Sequence, residues 1–495
     1  MAGLGVKLNR IFDKNTITTD IIGMGYASMV TVSPMILVIL AILISQTALG
    51  FSKIGYAQRE LLACTILYIF IFALLTASPF NSVLSRYLSD VIYEERFEDI
   101  MPCFHVGMVI NIVFSSLFGI PFCLHEYFVG EVSLVFVFAG YCGYMALILV
   151  FYAMLYLSIC KDYKKISLFF LIGMLAAILL GLLLKYFTGI EITLIMLISL
   201  DVGFLLIAAL EIAVVRSYFQ EDSGEYKAVL YYFRRYWKLV ATNFLYTLGL
   251  YIHNFVFWTT DYRMVVAKSF VCMTAYDMAT CLAMFTNISA TVIFISRVEM
   301  HFHERYKTYS EAVIGGRYMD IQLAKKRMFR QLSEELMNLV RVQFIISVVI
   351  YFICVIFLTQ FSFGGMVMKI YPCLAAAYFI LFIMYSAIIF LYYFNDLTGA
   401  MLTAGMFCLG TGIGAFLSTY LTEIWFGAGV LMGSFLGWGV SFLRMRWLED
   451  HLDDHIFCRG TILKKGKGKM PSSIAFNRYD GTGIKKEDES FGVGN

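Results

Sequence analysis

The sequence predicts an all-α polytopic membrane protein with about twelve transmembrane helices in two six-helix bundles. The first observation is composition: of 495 residues, 60% are hydrophobic and 15% charged, against roughly 45–50% and about 25% in soluble domains. The second is that the apolar residues fall in blocks of about 20, enough for a helix to cross a hydrocarbon core of roughly 30 Å. The alternating ten-residue segments of a membrane β-barrel are absent from the sequence, so helices must satisfy the backbone polar groups.

The blocks form two sets of six, with a charged linker at residues 216–238 between them. The first six predicted spans are 21–46, 61–84, 105–124, 133–159, 167–187 and 192–215. The second six are 239–258, 275–296, 342–358, 374–393, 401–421 and 425–443. This division predicts a first bundle at 21–215 and a second at 239–445, and transporters built from two such repeats often bind substrate where the repeats meet.

Lys and Arg residues set the expected orientation. With both termini on one side, 32 of the 38 basic residues lie on that side of the twelve spans. Basic residues accumulate on the cytoplasmic side, so both termini should be cytoplasmic and the protein should lie in the inner or plasma membrane. The net charge of +3 therefore reflects orientation in the lipid bilayer, and we expect no nucleic-acid partner.

The sequence motifs argue against enzymatic chemistry. There is no Walker loop, no Gly-rich nucleotide motif and no convincing nucleophile arrangement, so we expect no enzyme activity and no cofactor. The eleven cysteines contain no CxxC pair and lie mostly in or beside spans. They are interpreted as reduced, packed thiols, without a disulfide framework or a metal site.

Polar residues recur at helical spacing along the seventh and eighth spans. They are Asn243, Thr247, Tyr251, Asn254 and the adjoining His253 in the seventh span, and Asp277, Thr280, Asn287 and Thr291 in the eighth. Two neighbouring polar stripes predict the wall of a hydrated substrate path, because ionisable groups are costly in lipid. Hydrogen bonding between helices in a dry bundle is the alternative. Asp201, an isolated carboxylate in the sixth span, fits either a cavity or a structural partner.

Three segments outside the spans are charged. The cytoplasmic loop 297–341 is expected to form two helices broken at Gly315 and Gly316, with an apolar face at Ile321, Ala324, Met328, Leu332, Leu336 and Leu339. Its basic residues Lys325, Lys326, Arg327 and Arg330 either dock a cytoplasmic partner or bind anionic lipid. Residues 1–20 predict a cytoplasmic amphipathic segment, and 446–495 a basic, disordered cytoplasmic tail.

Several short stretches resemble the PelG family, the membrane transporters of Pel exopolysaccharide systems. They are MAGLGVKLNRIF at 1–12, Ser33-Pro34, LSRYLSD at 84–90, Tyr236-Trp237 with 248–258, Tyr276-Asp277, and the run Arg297-Val298-Glu299, Phe302-His303-Glu304 and Tyr306. The likeness runs in order through about residues 1–445. It departs from the family pattern at His253-Asn254, where an Asp-Lys pair is expected, and at the long basic tail.

The resemblance implies a flippase-like fold of the MOP superfamily, in which helices one, two, seven and eight line a central cavity. It also implies export of an amino-sugar polymer, with a cytoplasmic Pel-type glycosyltransferase and membrane partners that respond to cyclic di-GMP. An acidic group such as Asp277 would suit a partly cationic polymer.

We therefore predict a polysaccharide transporter. One alternative is another cargo on the same fold, either a lipid-linked oligosaccharide or a drug exported by cation coupling. A second is a scaffold that holds the polysaccharide synthase and transports nothing. A third is a membrane acyltransferase that uses His253-Asn254.

Overall fold

The computed structural model describes residues 17–160, 162–297, 302–360, 365–453 and 455. Side chains are described for these residues except 17–31, 286–297, 303–304 and 357–360. The predicted segment 1–20 thus lies largely outside the described residues, and so does the tail beyond residue 455. The described chain is almost entirely helical, with one short β-hairpin.

The helices of the first half are α1 (Ile17–Leu49), α2 (Tyr56–Tyr93), α3 (Ile100–Phe128), α4 (Leu134–Ile159), α5 (Tyr163–Phe187) and α6 (Ile192–Tyr218). A short amphipathic helix, α7 (Tyr226–Arg235), lies in the predicted linker. The second half contains α8 (Trp237–Phe257), β1 (Met264–Val266), β2 (Phe270–Cys272), α9 (Thr274–Arg297), α10 (His303–Gly315), α11 (Tyr318–Gln360), α12 (Gly365–Tyr393), α13 (Leu397–Ser418) and α14 (Ala428–Asp453).

These helices confirm the predicted fold class. Ten of them, within the described ranges, are long and apolar enough to cross a membrane. The two other long helices, α8 and α9, coincide with predicted spans seven and eight. With them, twelve long helices match the twelve predicted spans.

The loop 297–341 differs from its prediction in one respect. The break at Gly315 and Gly316 is present, since α10 ends at Gly315. The second loop helix and the ninth span, however, form one continuous helix of 43 residues, α11. At 1.5 Å per residue α11 is about 65 Å long, roughly twice the hydrocarbon thickness. No Gly or Pro interrupts its sequence, so nothing ends the helix where the loop meets the membrane.

Four helix pairings of the first half recur in the second. In the first bundle α1 packs on α5, α2 on α3 and α4, and α3 on α4. In the second, α8 packs on α13, α9 on α11 and α12, and α11 on α12, which are the equivalent pairs six spans later. Between the bundles α2 contacts α8, and α1 contacts α9. The halves are therefore related as an internal repeat, as is common in secondary transporters.

Close helix contacts depend on glycine in both bundles. A Cβ on Gly173 of α5 would lie 2.7 Å from the carbonyl oxygen of Gly203 in α6. A Cβ on Gly429 of α14 would lie 2.3 Å from the backbone nitrogen of Ala415 in α13. Small residues let transmembrane helices approach to backbone contact, where van der Waals packing replaces the hydrophobic driving force that lipid removes.

Among the described residues, those up to Arg446 form one compact unit, and residues 447–453 and 455 belong to a second. In the described part of the second unit, the Trp447 ring stacks on that of His451, with centroids 5.0 Å apart and planes 7° apart. The His455 ring meets Trp447 edge-on at 5.9 Å.

Candidate substrate path

The polar stripe of α8 and α9 centres on Asp277, which is 8% exposed. Its Oδ1 accepts hydrogen bonds from Asn254 Nδ2 at 2.7 Å and Trp258 Nε1 at 3.1 Å. Its Oδ2 accepts from the backbone N–H of Met273 at 3.0 Å, and the Asp277 N–H donates to the Met273 carbonyl at 2.9 Å. The carboxylate thus joins the end of α8 to the start of α9, as the dry-bundle alternative expects.

His253 also lies in packed protein and is fully buried. Its Nδ1 is 2.8 Å from the hydroxyl of Tyr276, which is itself fully buried and donates to the Phe426 carbonyl at 3.4 Å. Three buried atoms of the stripe have no hydrogen-bond partner among the described residues: His253 Nε2, Asn254 Oδ1 and Thr280 Oγ1. The hydrogen bonds of the stripe therefore leave these three buried polar atoms unsatisfied.

The remaining stripe residues are dispersed. Asn243 bridges the two bundles: its Nδ2 donates to Ser82 Oγ of α2, and its Oδ1 accepts from Tyr392 Oη of α12 at 3.4 Å. Thr247 and Tyr251 are 7% and 8% exposed. Asn287 and Thr291 lie on α9, but their side chains are outside the described set.

Asp201 is not part of this cluster. It is 4% exposed in α6 and faces Gly143 of α4, where an added Cβ would meet its Oδ1. That oxygen has no hydrogen-bond partner in the described chain. The position lies within the first bundle, whereas the stripe belongs to α8 and α9.

A cavity of about 320 Å³ lies in the first bundle. It is lined from α2 by Thr65, Tyr68, Ile69, Phe72, Leu75 and Thr76, from α3 by Phe114, Phe118, Gly119, Phe122, Cys123 and Glu126, from α4 by Phe136, Val137, Gly140, Tyr141 and Tyr144, and by Phe244 and Phe270. Ten of these 19 residues are aromatic. From Thr65 to Thr76 the wall follows α2 for roughly 17 Å, about half of the hydrocarbon thickness.

Of the expected helices one, two, seven and eight, α2 and α8 contribute to the described lining of this cavity, whereas the side chains of 17–31 in α1 and 286–297 in α9 are not described. From α8 only Phe244 of the 19 lining residues contributes, and none of the predicted path residues is among them. The physical reason is that the best-paired polar groups of α8 and α9 bond to one another or across to α2, which draws the helices together. The cavity lies instead where the aromatic rings of α2, α3 and α4 meet.

The polar groups of the cavity wall are mostly hydroxyls. Tyr144 Oη is 3.0 Å from Thr76 Oγ1, and Tyr141 Oη is 3.0 Å from Ser116 Oγ. Glu126, the one carboxylate in the described lining, is 2% exposed. Its Oε1 is 3.1 Å from His125 Nδ1, and its Oε2 accepts a hydrogen bond from Ser269 Oγ. Glu126 thus places a buried acidic group at one end of an aromatic cavity.

The β1–β2 hairpin closes that end. The hairpin connects α8 to α9 in the second bundle, yet it packs on α2 of the first. The Tyr68 hydroxyl donates to the Val271 carbonyl at 2.6 Å and accepts from the Val271 N–H at 3.1 Å. The Phe270 ring lies 5.4 Å from that of Tyr68 and 5.9 Å from that of Phe122. The hairpin is therefore a cross-bundle cap on the cavity.

The tip of the hairpin is strained. Ala267 and Lys268 have φ of 46° and 61°, in the left-handed region that non-glycine residues rarely adopt. Lys268 forms an ion pair with Glu131 of the α3–α4 loop, and Glu131 also has a positive φ, of 54°. Such conformations persist where surrounding contacts hold them, so the contact between the bundles maintains strain on both sides.

Sequence reasoning missed the cavity, although one signal was present. Phe114, Phe118, Phe122 and Glu126 are spaced by four residues and so share one face of α3. Aromatic residues at this spacing usually fill a core, which is why the pattern did not attract a functional interpretation.

The predicted docking residues separate into two groups. Lys326, Arg327 and Arg330 are exposed on α11, and Arg330 Nε pairs with Glu334 at 2.9 Å. Lys325 is only 8% exposed, because it lies three residues before Met328 and shares the buried face. That face, with Met328, Leu332 and Leu339, packs within the second bundle, where Phe329 stacks on Phe394 at 5.5 Å. Lys325 therefore does not belong to the exposed basic surface.

The sequence matches, over residues 1–457, the family described as "PelG: Putative exopolysaccharide Exporter (EPS-E)". No curated protein is similar enough in sequence to match the chain.

Several solved structures share the fold. The eukaryotic MATE transporter AtDTX14 has a TM-score of 0.58 at 12% identity, covering 87% of this chain and 96% of its own. An inward-facing multidrug resistance MATE family transporter of the MOP superfamily has a TM-score of 0.57 at 11% identity, covering 86% and 99%. A MOP superfamily transporter from Pyrococcus furiosus has 0.51 at 13% identity, covering 86% and 96%. The fold is thus that of MATE-type transporters of the MOP superfamily.

Proposed function

Because this chain belongs to the PelG family and has the fold of a multi-pass membrane transporter, we propose that it exports a Pel-type amino-sugar polymer across the cytoplasmic membrane. The polymer is supplied by a cytoplasmic glycosyltransferase, and both termini of the exporter face the cytoplasm. The protein moves the polymer and does no covalent chemistry on it.

The observation that carries the proposal is the aromatic cavity with Glu126 at its capped end. The face of an aromatic ring carries negative charge density, so it attracts ammonium groups and the C–H faces of sugar rings. Ring contacts tolerate sliding, because they require no fixed hydrogen-bond register. A wall of such rings therefore suits a polymer that must move along it.

Glu126 adds selectivity for a cationic sugar. At an effective dielectric constant of about 20, opposite charges 4 Å apart attract by roughly 4 kcal/mol before desolvation is subtracted. In the closed state, Ser269 and His125 occupy its oxygens. Lifting the hairpin would remove Ser269 and free Oε2 for an ammonium group. Glu126 thus takes the role that the sequence suggested for Asp277.

Glu126→Gln tests this role, because glutamine keeps an acceptor for Ser269 and removes the charge. Export of the cationic polymer should fall about tenfold, equivalent to about 1.4 kcal/mol, at an unchanged level of folded protein. Glu126→Asp should retain most of the export. The matched control is Glu191→Gln, which neutralises an exposed carboxylate on the same predicted side of the membrane, outside the cavity lining. Normal export by Glu126→Gln would contradict the proposal.

One rival cargo has a specific observation in its favour. Most of the cavity wall is apolar, and Phe118 of α3, which lines it, is 53% exposed. An acyl or polyprenyl chain could enter from that side, as a lipid-linked oligosaccharide would require. Reconstituted protein that flips a fluorescent lipid-linked sugar, in the absence of any glycosyltransferase, would favour this cargo over the free polymer.

The orientation is supported by the basic loops and by the exposed basic residues of α10 and α11. We propose that this cytoplasmic surface meets the glycosyltransferase and membrane partners that respond to cyclic di-GMP. Reporter fusions at Arg317 should be cytoplasmic and those at Glu131 extracytoplasmic. Finding both on one side would contradict this orientation.

A further inference from the structure

Two cysteine thiols meet where the hairpin contacts the first bundle. Cys64 lies near the start of α2 and Cys272 ends β2, 208 residues later in the chain. Their sulfur atoms are 2.8 Å apart, with the Cys64 S–H as donor, and the side chains are 2% and 3% exposed. Two unbonded sulfurs would normally lie farther apart, so the backbone already brings these side chains to a position from which a disulfide can form.

We propose that Cys64 and Cys272 form a reversible disulfide that latches the hairpin over the cavity, closed when oxidised and free to open when reduced. The inference rests on the proposed orientation, which places both cysteines at the extracytoplasmic end of their segments. Disulfides form and persist in that compartment and not in the cytoplasm. The sequence predicted reduced, packed thiols throughout, because a pair 208 residues apart has no signature in the sequence.

The chemistry is an exchange with a disulfide oxidant from the extracytoplasmic space. When the hairpin lifts, the Cys272 thiolate attacks one sulfur of the oxidant, forms a mixed disulfide and releases one thiol. When the hairpin closes, Cys272 returns to Cys64. The Cys64 thiolate then attacks the Cys272 sulfur and releases the second thiol. The two cysteines lose two electrons and two protons, and the oxidant disulfide becomes two thiols.

Cys272 is suited to attack first. Cys272 is on the part that must move, so it is the thiol that an opened hairpin would present to the oxidant.

The proposed disulfide would hold the hairpin against the first bundle, where the other contacts can separate. The remaining contacts of the hairpin with the first bundle are hydrogen bonds, ring contacts and one exposed ion pair. The strained residues at the tip, Ala267 and Lys268, oppose closure. Because these contacts are individually weak, the hairpin can open in the reduced protein, whereas a covalent bond between α2 and β2 would hold it closed.

The test uses the full-length protein in its native membrane. Oxidation with copper–phenanthroline should give one linked peptide containing Cys64 and Cys272, detected by mass spectrometry after alkylation of free thiols. Polymer export should fall at least fivefold and recover with dithiothreitol. Cys272→Ser and Cys64→Ser should be insensitive to both reagents, and either variant suffices if the other does not fold. Cys373→Ser, which changes a half-buried thiol outside the cavity lining, is the matched control and should respond as the wild type does.

The latch is overturned if the two thiols stay unlinked after oxidation, or if the linked protein exports polymer as fast as the dithiol form does. Amide hydrogen exchange of residues 264–272 gives a readout independent of cargo, and should slow on oxidation in the wild type but not in Cys64→Ser or Cys272→Ser. If the Glu126 variants export normally while the link still slows this exchange, the cargo proposal fails and the latch stands. If exchange is unchanged by the link, the latch fails whatever the cargo.

Discussion

The two bundles share their helix pairings but differ in what fills them. In the first, α2, α3 and α4 surround the aromatic cavity, whose rings form a wall. In the second, the equivalent helices α9, α11 and α12 bury Tyr276, Tyr371 and Tyr378, each at most 1% exposed. Tyr371 stacks on Tyr351 at 5.6 Å. The same residue types thus line a cavity in the first bundle and are buried against one another among the described residues of the second.

The polar groups show the same asymmetry. In the second bundle, Asp277 has donors on both oxygens and joins two helices that are neighbours in the chain. In the first bundle, Glu126 has a partner on a hairpin that belongs to the other repeat. A carboxylate satisfied within one bundle stabilises the fold, whereas a carboxylate satisfied across the bundles loses a partner when they separate. In an internal repeat, one copy can therefore stabilise the fold while the other copy forms the transport path.

Filling the cavity should have the largest effect. An added Cβ at Gly140 would lie 3.5 Å from Thr65 Cγ2, an ordinary contact, so Gly140→Leu should fold and occupy the path. We expect export to fall on the order of 100-fold, measured as secreted polymer per folded transporter.

Gly405→Leu is the matched control for this change. Gly405 is a half-buried glycine of α13 in the second bundle, and its added Cβ would lie 3.8 Å from Leu245 Cδ1. It should export normally. Equal losses in both variants would mean that the bundles do not differ in function.

Asp277→Asn should reduce stability more than transport. In the variant, an NH₂ donor replaces one acceptor oxygen of the carboxylate. This donor would face other donors, either those of Asn254 and Trp258 or the N–H of Met273. A hydrogen bond to a charged group contributes roughly 1.5–3 kcal/mol, so the unfolding temperature in detergent should fall and secretion should follow the folded fraction. Trp258→Phe removes one donor and keeps a ring, so its effect should be smaller. Lost export at normal stability would instead return Asp277 to the substrate path.

Much of the fold could be predicted because apolar spans and basic loops are recognisable within short stretches of the sequence. Residues at helical spacing also gave the buried face of α11, with Met328 and Leu332. The same spacing predicts that Lys325 is buried. It was assigned to the exposed surface because only its charge was considered. The length of α11 was misjudged because a change from polar to apolar composition does not end a helix.

The site was harder to predict, because it depends on contacts between distant residues. The hairpin turn at Ala267 and Lys268 contains neither Asn nor Gly, the residues that usually mark a positive φ. The partners of Asp277 include a Trp at the end of one helix and a backbone N–H before the next, which no side-chain pattern records. A cavity is a gap in packing, and hydrophobic pattern alone does not locate one.

The basic surface of α11 extends the comparison to the cytoplasmic side, since only the second bundle carries this long loop. Replacing Lys326 and Arg327 with Ser should weaken co-purification of the glycosyltransferase severalfold, because exposed charge pairs contribute roughly 0.2–1 kcal/mol each. Replacing Lys307, exposed on α10, and Arg317, exposed between α10 and α11, is the control and should have less effect. Equal effects of the two double variants would indicate a general attraction to anionic lipid.

The smallest expected effect concerns the hairpin, the part of the second bundle that caps the first. Ala267 has a φ of 46°, which costs a non-glycine residue roughly 1–2 kcal/mol. Ala267→Gly removes that strain but adds chain entropy to the open state, a cost of roughly 0.4–1 kcal/mol. With mid-range values the difference favours closure by about 0.8 kcal/mol, so amide exchange across 264–272 should slow about fourfold and export should decline slightly. Lys268→Gly, which also loses the ion pair with Glu131, should slow exchange less. Ala275→Gly, in the first turn of α9, relieves no strain and should not slow exchange at all. Faster exchange in Ala267→Gly would mean that the strained tip does not oppose closure, and that the two bundles are held together at this end by something other than the contacts of the hairpin.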